Sequence, residues 1–305
     1  MSEPLPEVVV LAGPTAVGKT EVAVGLAQAM GAEVISADSR QVYRELDIGI
    51  AKPSPDEQRA VPHHLIDFLD PRERYSAARF ARDALAVIAG LETRGKRALI
   101  VGGTGFYLDA LRYELAAIPP VDPELEARLA EEAEQLGLAA LHARLTAVDR
   151  ETAARLKPGD RQRILRALAV HETSGVALSE CHRASPRRER VQVRRYVVLT
   201  RPRAELYARI DRRVDAMMEA GLPDEVRGLA ERYGWEAEGL KALGYRQFRE
   251  HLQGNRSLEE SVELLKRDTR RYAKRQLTWF RRVPDAVWID LSDPAAAARI
   301  PHLGV

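Results

Sequence analysis

A single cysteine, Cys181, stands among 305 residues. This excludes an internal disulfide and any zinc site built from several cysteines. A reducing compartment, the cytoplasm, is the expected home. No apolar run approaches the roughly 18 residues that a membrane span needs. The opening stretch "MSEPLPE" is acidic and carries proline, with no basic segment, so no targeting peptide and no membrane association are expected. Internal repeats and low-complexity tracts are also missing. A net charge of +2 names no partner by itself. What is present is a composition 45% hydrophobic, enough for a proper core, in a length that suits one large or two ordinary domains.

The first third of the chain alternates short apolar runs with helical patterns. "VVVL", "AEVISADS", "HHLIDFLD" and "KRALIV" read as strands, while "TEVAVGLAQAM" and "SAARFARDALAVIAGLETRG" carry helical spacing. This order predicts an α/β fold with a parallel sheet flanked by helices. From residue 114 the pattern turns wholly helical, until "VRRYVVLTRPR" returns as a strand. A discontinuous core of residues 1–113 and 192–305, interrupted by an all-helical insertion of residues 114–191, is expected. Near the C-terminus Ser257 and Glu260 fit a capping box. The helix that follows shows Leu258, Val262, Leu265, Tyr272 and Phe280 on one apolar stripe.

The most informative motif is "GPTAVGKT": Gly13, Pro14, Thr15, Ala16, Val17, Gly18, Lys19 and Thr20. Placed between a strand and a helix, this spacing surrounds anionic oxygens with backbone N–H groups and a helix N-terminus. Lys19 adds a point charge, and the Thr20 hydroxyl suits Mg²⁺. A nucleotide hydrolase also needs an apolar strand ending in a metal-binding Asp. Here "RALIV" ends in Gly102-Gly103-Thr104-Gly105, without an acid. The acid at a strand end near the loop is Asp38, where a parallel sheet collects its ligands. The competing role for Asp38 is the N-cap of a helix in a strand-to-helix turn, and for Thr104 a cap in its glycine-rich strand-to-helix turn. His63 and His64 project to opposite sides of a strand, so packing is expected of them rather than metal binding.

"GPTAVGKT", "ISADSRQVYRELDIGIAKP", "HHLID", "VGGTGFYLDAL", "DRQRILRALAV", "MMEAGLPDEV", "KALGYRQF" and "TRRYAKRQLTWFRR" occur in one order from about residue 7 to 285. Together they resemble the tRNA dimethylallyltransferase family, bacterial type. The resemblance implies a P-loop kinase-like core and a helical tRNA-binding insertion. It implies transfer of the dimethylallyl group from dimethylallyl diphosphate to N6 of adenine 37, in the tRNA anticodon stem-loop. The loop Gly13 to Thr20 then holds the donor diphosphate, Mg²⁺ binds through Thr20, and Arg213 contacts the diphosphate. Asp38 is the general base. The implied tRNA contacts are Asp38, Ser39, Arg40, Gln41 and Thr104. In the insertion they are Gln162, Arg163, Ile164, Leu165 and Arg166, and further on Lys241, Ala242, Leu243, Gly244, Tyr245 and Arg246. The family often has arginine where this chain has Glu126; Arg128 is the nearby cation, on a different helix face. No C-terminal zinc finger and a monomeric state are expected.

The charge distribution agrees with an RNA partner. Residues 155–195 hold eleven Arg or Lys against four acids, and residues 266–282 hold eight against one. Residues 122–134, by contrast, hold six acids and one arginine. Segregation of this kind in a nearly neutral chain is an electrostatic footprint for nucleic acid. A nucleoside kinase, a prenyltransferase acting on free adenine nucleotides and a non-catalytic RNA-binding module are the competing readings. The missing strand-end acid and the basic tracts weigh against the first, the helical insertion and the basic C-terminal helix against the second, and the intact Lys19, Thr20, Asp38 and Arg213 against the third. Whether ATP occupies the loop stays open on the motif alone.

Overall fold

In a computed structural model, which describes residues 4–300, the chain opens with β1 (Glu7–Ala12), α1 (Lys19–Met30), β2 (Ala32–Ser36) and α2 (Pro55–Ala60). Then come β3 (His63–His64), α3 (Ala77–Glu92), β4 (Arg97–Gly102) and α4 (Gly105–Arg112). A helical run follows: α5 (Pro123–Leu136), α6 (Leu138–Val148), α7 (Arg150–Arg155), α8 (Arg161–Ser174) and α9 (Leu178–Ala184). The chain resumes with β5 (Gln192–Thr200), α10 (Arg203–Glu219), α11 (Leu222–Tyr233), a 3₁₀ turn (Arg246–Phe248) and α12 (Arg249–Leu252). It ends with α13 (Leu258–Phe280), β6 (Val287–Asp290) and α14 (Pro294–Ala297).

The strands form one parallel sheet in the order β3-β2-β4-β1-β5-β6. Val8 to Leu11 and Val34 to Ile35 are buried throughout, as a sheet covered on both faces requires. One core beneath the sheet joins Leu11, Val34, Leu99 and Leu199 to Ala23 and Leu26 of α1 and to Leu206 and Ile210 of α10. A second core gathers Val42, Leu46, Val226, Tyr245, Phe248 and Leu265. The expected run "HHLIDFLD" forms only the two-residue β3. After it the chain turns, with Leu65 and Asp67 in left-handed conformation (φ 60 and 56). The edge strand β6 is not foreshadowed in the sequence pattern.

The chain divides into two compact units. One runs to Arg112 and resumes at Arg190; the other is Tyr113–Glu189. The second unit has its own core, with Leu129, Leu141, Leu145, Ile164 and Leu168 among its members. The terminal residues 1–3 and 301–305 lie outside the described residues. Among the described residues no helix is long and apolar enough to cross a membrane.

β4 ends in glycine for steric reasons. A Cβ on Gly102 would stand 2.2 Å from Ala37 O, and one on Gly103 would stand 2.2 Å from Gln276 Nε2. Gly102→Ala should therefore cost about 1–3 kcal/mol through overpacking. A Cβ added at Gly90, inside α3, would meet nothing within 4 Å. Gly90→Ala should instead stabilise by about 0.5–1 kcal/mol. Urea unfolding of the two variants should move the midpoint in opposite directions.

Candidate active site

The loop between β1 and α1 is shaped by its backbone. Ala16 adopts a left-handed conformation (φ 62), and Gly18 (φ 109) precedes the first turn of α1. The carbonyls of this loop are held by cations. Lys19 Nζ donates to Gly13 O at 3.0 Å and to Pro14 O at 2.8 Å. Arg209 Nε donates to Ala16 O, and Arg201 Nε to Val17 O, each at 2.9 Å. Arg213 Nη1 donates to Thr15 Oγ1 at 3.3 Å and its Nη2 to Ile50 O at 3.4 Å. Arg209 and Arg213 are four residues apart on α10, and so share one helix face.

The opposite wall follows β2. Asp38 lies two residues past the strand, and its Oδ1 accepts from Arg40 N at 2.8 Å and Gln41 N at 3.4 Å. The carboxylate thus closes an Asx turn, and no helix starts there. Thr104 Oγ1 accepts from Ser39 N at 3.1 Å, and Thr104 N donates to Ala37 O at 3.2 Å. The threonine therefore ties the end of β4 to the segment that carries Asp38. Ser36 Oγ donates to Gln41 Oε1 at 3.0 Å.

Between these walls lies a cavity of about 710 Å³. Lys19, Thr20, Asp38, Arg209, Arg213 and Tyr272 are among its lining residues. Burial lowers the Lys19 ammonium from its ordinary value to about 8; the charge of Asp38 opposes that shift and Arg213 adds to it. Burial likewise lowers Arg213, again opposed by Asp38. Burial pushes the Tyr272 hydroxyl up to about 12, reinforced by the negative charge of Asp38. Asp38 thus balances two cations across one cavity.

Ser39, Arg40, Gln41, Lys241, Leu243 and Arg246 also border the cavity. Three neighbours in the "KALGYR" segment do not. Ala242 and Tyr245 are fully enclosed, and Gly244 is buried. Gly244 passes so close to Gly49 that a Cβ would meet its carbonyl oxygen at 2.5 Å. Tyr245 donates its hydroxyl to Glu225 Oε1 at 2.7 Å. The side chains of Ala242 and Tyr245 and the close approach at Gly244 set the segment in place. Ile164 is wholly buried in the core of the second unit, with Leu165 packed against that core. Gln162 and Arg163 are exposed. Arg166 Nη1 lies 3.6 Å from Glu126 Oε1, and Arg128 Nη2 lies 2.6 Å from Glu172 Oε2.

Sequence reasoning overlooked Glu225, which accepts from the backbone N–H groups of Asp47, Ile48 and Gly49 at 2.9–3.1 Å. It also overlooked Gln276, whose amide bonds Thr15 N and Gly103 O. Gln276 interrupts the apolar stripe of α13 four residues after Tyr272 and four before Phe280, which is a visible signal. Its partners are not visible. His63 borders the cavity, with Nδ1 2.8 Å from Val61 O, while His64 Nε2 lies 2.7 Å from Glu33 Oε2. The two rings have separate partners.

Residues 41–283 match the family model "IPP transferase", and residues 6–75 match "Isopentenyl transferase". The chain belongs to the IPP transferase family. A tRNA dimethylallyltransferase of Syntrophobacter fumaroxidans is 52% identical over 94% of this chain and 84% of that protein. One from Symbiobacterium thermophilum is 50% identical over 95% and 91%. Among solved structures, the full-length tRNA isopentenylpyrophosphate transferase of Bacillus halodurans superposes with a TM-score of 0.71. It is 39% identical, and the match covers 98% of this chain and 94% of that one. A eukaryotic dimethylallyltransferase acting on tRNA gives a TM-score of 0.79 at 29% identity, over 93% and 73%. The chain is a tRNA dimethylallyltransferase by family and therefore a prenyltransferase, with the family's parallel sheet.

The lowered Lys19 ammonium predicts that anion binding at this loop depends on pH. The ammonium is charged below about pH 8 and loses its attraction for an anion as pH rises through that value. Sulfate, which does not titrate in this range, should bind about fivefold more weakly at pH 9 than at pH 8. Calorimetric titration checks this, and Lys19→Met should abolish the dependence.

Proposed function

We propose that the cavity joins dimethylallyl diphosphate to N6 of adenine 37 in the anticodon stem-loop of tRNA. The observation that carries this reading is the placement of Asp38 opposite Lys19 and Arg213, on walls of one cavity. The phosphate loop and Arg213 hold the diphosphate. The other wall, with Ser39, Arg40, Gln41, Lys241 and Arg246, receives RNA. N6 forms a bond to C1 of the donor while the C1–O bond breaks, and diphosphate leaves with the electron pair. The proton released from N6 passes to Asp38. Lys19 and Arg213 stabilise the charge that accumulates on the leaving oxygens, the kind of preorganised field that commonly dominates catalysis.

Adenine must leave the loop stack to enter, at a cost of about a few kcal/mol. The exposed Gln162 and Arg163 of the second unit and the cations of α13 supply phosphate contacts that offset it. We assign tRNA binding to the second unit for this reason. The enzyme is taken to act as a monomer in the cytoplasm.

Magnesium fits the donor set. The Thr20 and Ser36 hydroxyls and the Asp38 carboxylate are hard oxygens bordering the same cavity. Mg²⁺ characteristically takes one or two protein oxygens together with substrate phosphates and water. Among the described residues no group of three or more His, Cys, Asp or Glu could hold a metal ion by itself. When bound through Thr20, the ion supplies charge neutralisation at the diphosphate.

Asp38→Asn keeps the Asx-turn acceptor and removes the base. It should bind unmodified tRNA with unchanged affinity and lose about 10²–10⁴-fold in turnover. Transfer from labelled dimethylallyl diphosphate, followed by nucleoside analysis, checks both the product and the rate. Turnover close to wild type would remove Asp38 from the base role. Affinity for tRNA should fall steeply between low and moderate salt, because arginine contacts release counterions. A filter-binding series that stays flat would exclude the basic wall.

A further inference from the structure

Gln276 is 5% exposed, yet it lies on α13, a helix otherwise rich in surface charge. Its side-chain amide is used at both ends. Oε1 accepts from Thr15 N at 2.9 Å, and Nε2 donates to Gly103 O at 2.8 Å. Thr15 belongs to the phosphate loop and is the residue whose hydroxyl meets Arg213. Gly103 precedes Thr104, which holds the backbone of Ser39 beside Asp38. One amide therefore spans the two loops that diverge from the neighbouring strands β1 and β4.

The fit is tight. A Cβ on Gly103 would collide with the Gln276 amide nitrogen, so the glycine leaves room for it. The amide has opposite polarity at its two ends, and each loop presents the matching group, an N–H on one side and a C=O on the other. No carboxylate satisfies both partners while ionised, and no apolar side chain satisfies either. Such a buried, doubly bonded amide fixes a separation, because loss of either partner leaves a polar group stranded. With the Thr15 N–H turned to Gln276, that peptide is unavailable to the anion and Thr15 Oγ1 remains the part facing Arg213.

We propose that Gln276 is a positioning residue that sets the donor loop against the acceptor wall, so that the leaving diphosphate and Asp38 hold a fixed separation. This rests on the function proposed above. Gln276 borders the cavity, but its amide is taken up by Thr15 and Gly103, and it acts through them.

Two variants test it. Gln276→Met keeps the length of the side chain and removes both bonds. It should lower kcat at least tenfold and weaken inorganic diphosphate at least fivefold, while tRNA affinity stays within twofold of wild type. Gln276→Glu keeps the acceptor for Thr15 but loses the donor to Gly103 O while ionised. Protonation restores that donor, so the ratio of its kcat to that of wild type should rise as pH falls from 8.5 to 6. A ratio flat with pH, or a Met variant that loses thermal stability but keeps wild-type kcat and diphosphate affinity, overturns the proposal. Diphosphate affinity carries no information about the transferred group. A wild-type protein that alkylates no tRNA would thus sink the proposed function, while the Met comparison still decides the role of Gln276.

Discussion

Turning backbone N–H groups inward around an anion turns the intervening carbonyls outward, and those carbonyls need donors. This constraint organises the rest of the site. Gly13, Pro14, Ala16 and Val17 present their oxygens to Lys19, Arg209 and Arg201, so the loop is held by cations even before a ligand arrives. Buried backbone groups left without partners are rare because each costs roughly as much as a lost hydrogen bond. The same guanidinium groups raise the local positive potential. Holding the loop and raising its positive potential are thus one arrangement, to which α10 contributes by placing Arg209 and Arg213 one turn apart.

The acceptor wall solves a different problem. Residues 37–54 contain no helix or regular strand, so their backbone groups are met piecemeal, by turns and bridges to other backbone and by side chains. Glu225 takes three consecutive N–H groups at Asp47, Ile48 and Gly49, and also the hydroxyl of Tyr245. Lys52 reaches Asp47 and Asp67, each at 2.6 Å. Ile50, next to the Glu225 cradle, offers its carbonyl to Arg213. A carboxylate on α11 thereby helps orient an arginine on α10 through a loop that neither helix contains. Irregular backbone fixed on a rigid scaffold is a common setting for binding residues.

Local patterns were readable where the physics is local. The loop spacing, the Ser257–Glu260 capping box and the alternation of strands and helices each depend on neighbours in sequence. The capping box is formed at both of its bonds. Partners far apart in sequence were not readable. Gln276 meets Thr15 across 261 residues, and Glu225 meets Gly49 across 176. That Tyr245 and Ile164 turn inward is not legible either, because a motif shows which residues occur together, not which side chain is buried. The short β3 was over-read for a related reason. An apolar run in "HHLIDFLD" shows a wish to be buried, and left-handed turns at Leu65 and Asp67 bury part of it without a strand.

The glycines at the end of β4 explain why the sequence lacks a strand-end acid. At Gly102 even a methyl group would overlap the carbonyl of Ala37, and at Gly103 it would overlap Gln276. An aspartate at Gly102 would move the segment that carries Asp38, and one at Gly103 would displace the Gln276 amide. The space a metal-binding acid would fill is taken instead by the contact between β4 and the acceptor wall, closed by Thr104 on Ser39. A carboxylate is still supplied to the cavity, but from the neighbouring strand and opposite the cations of the loop.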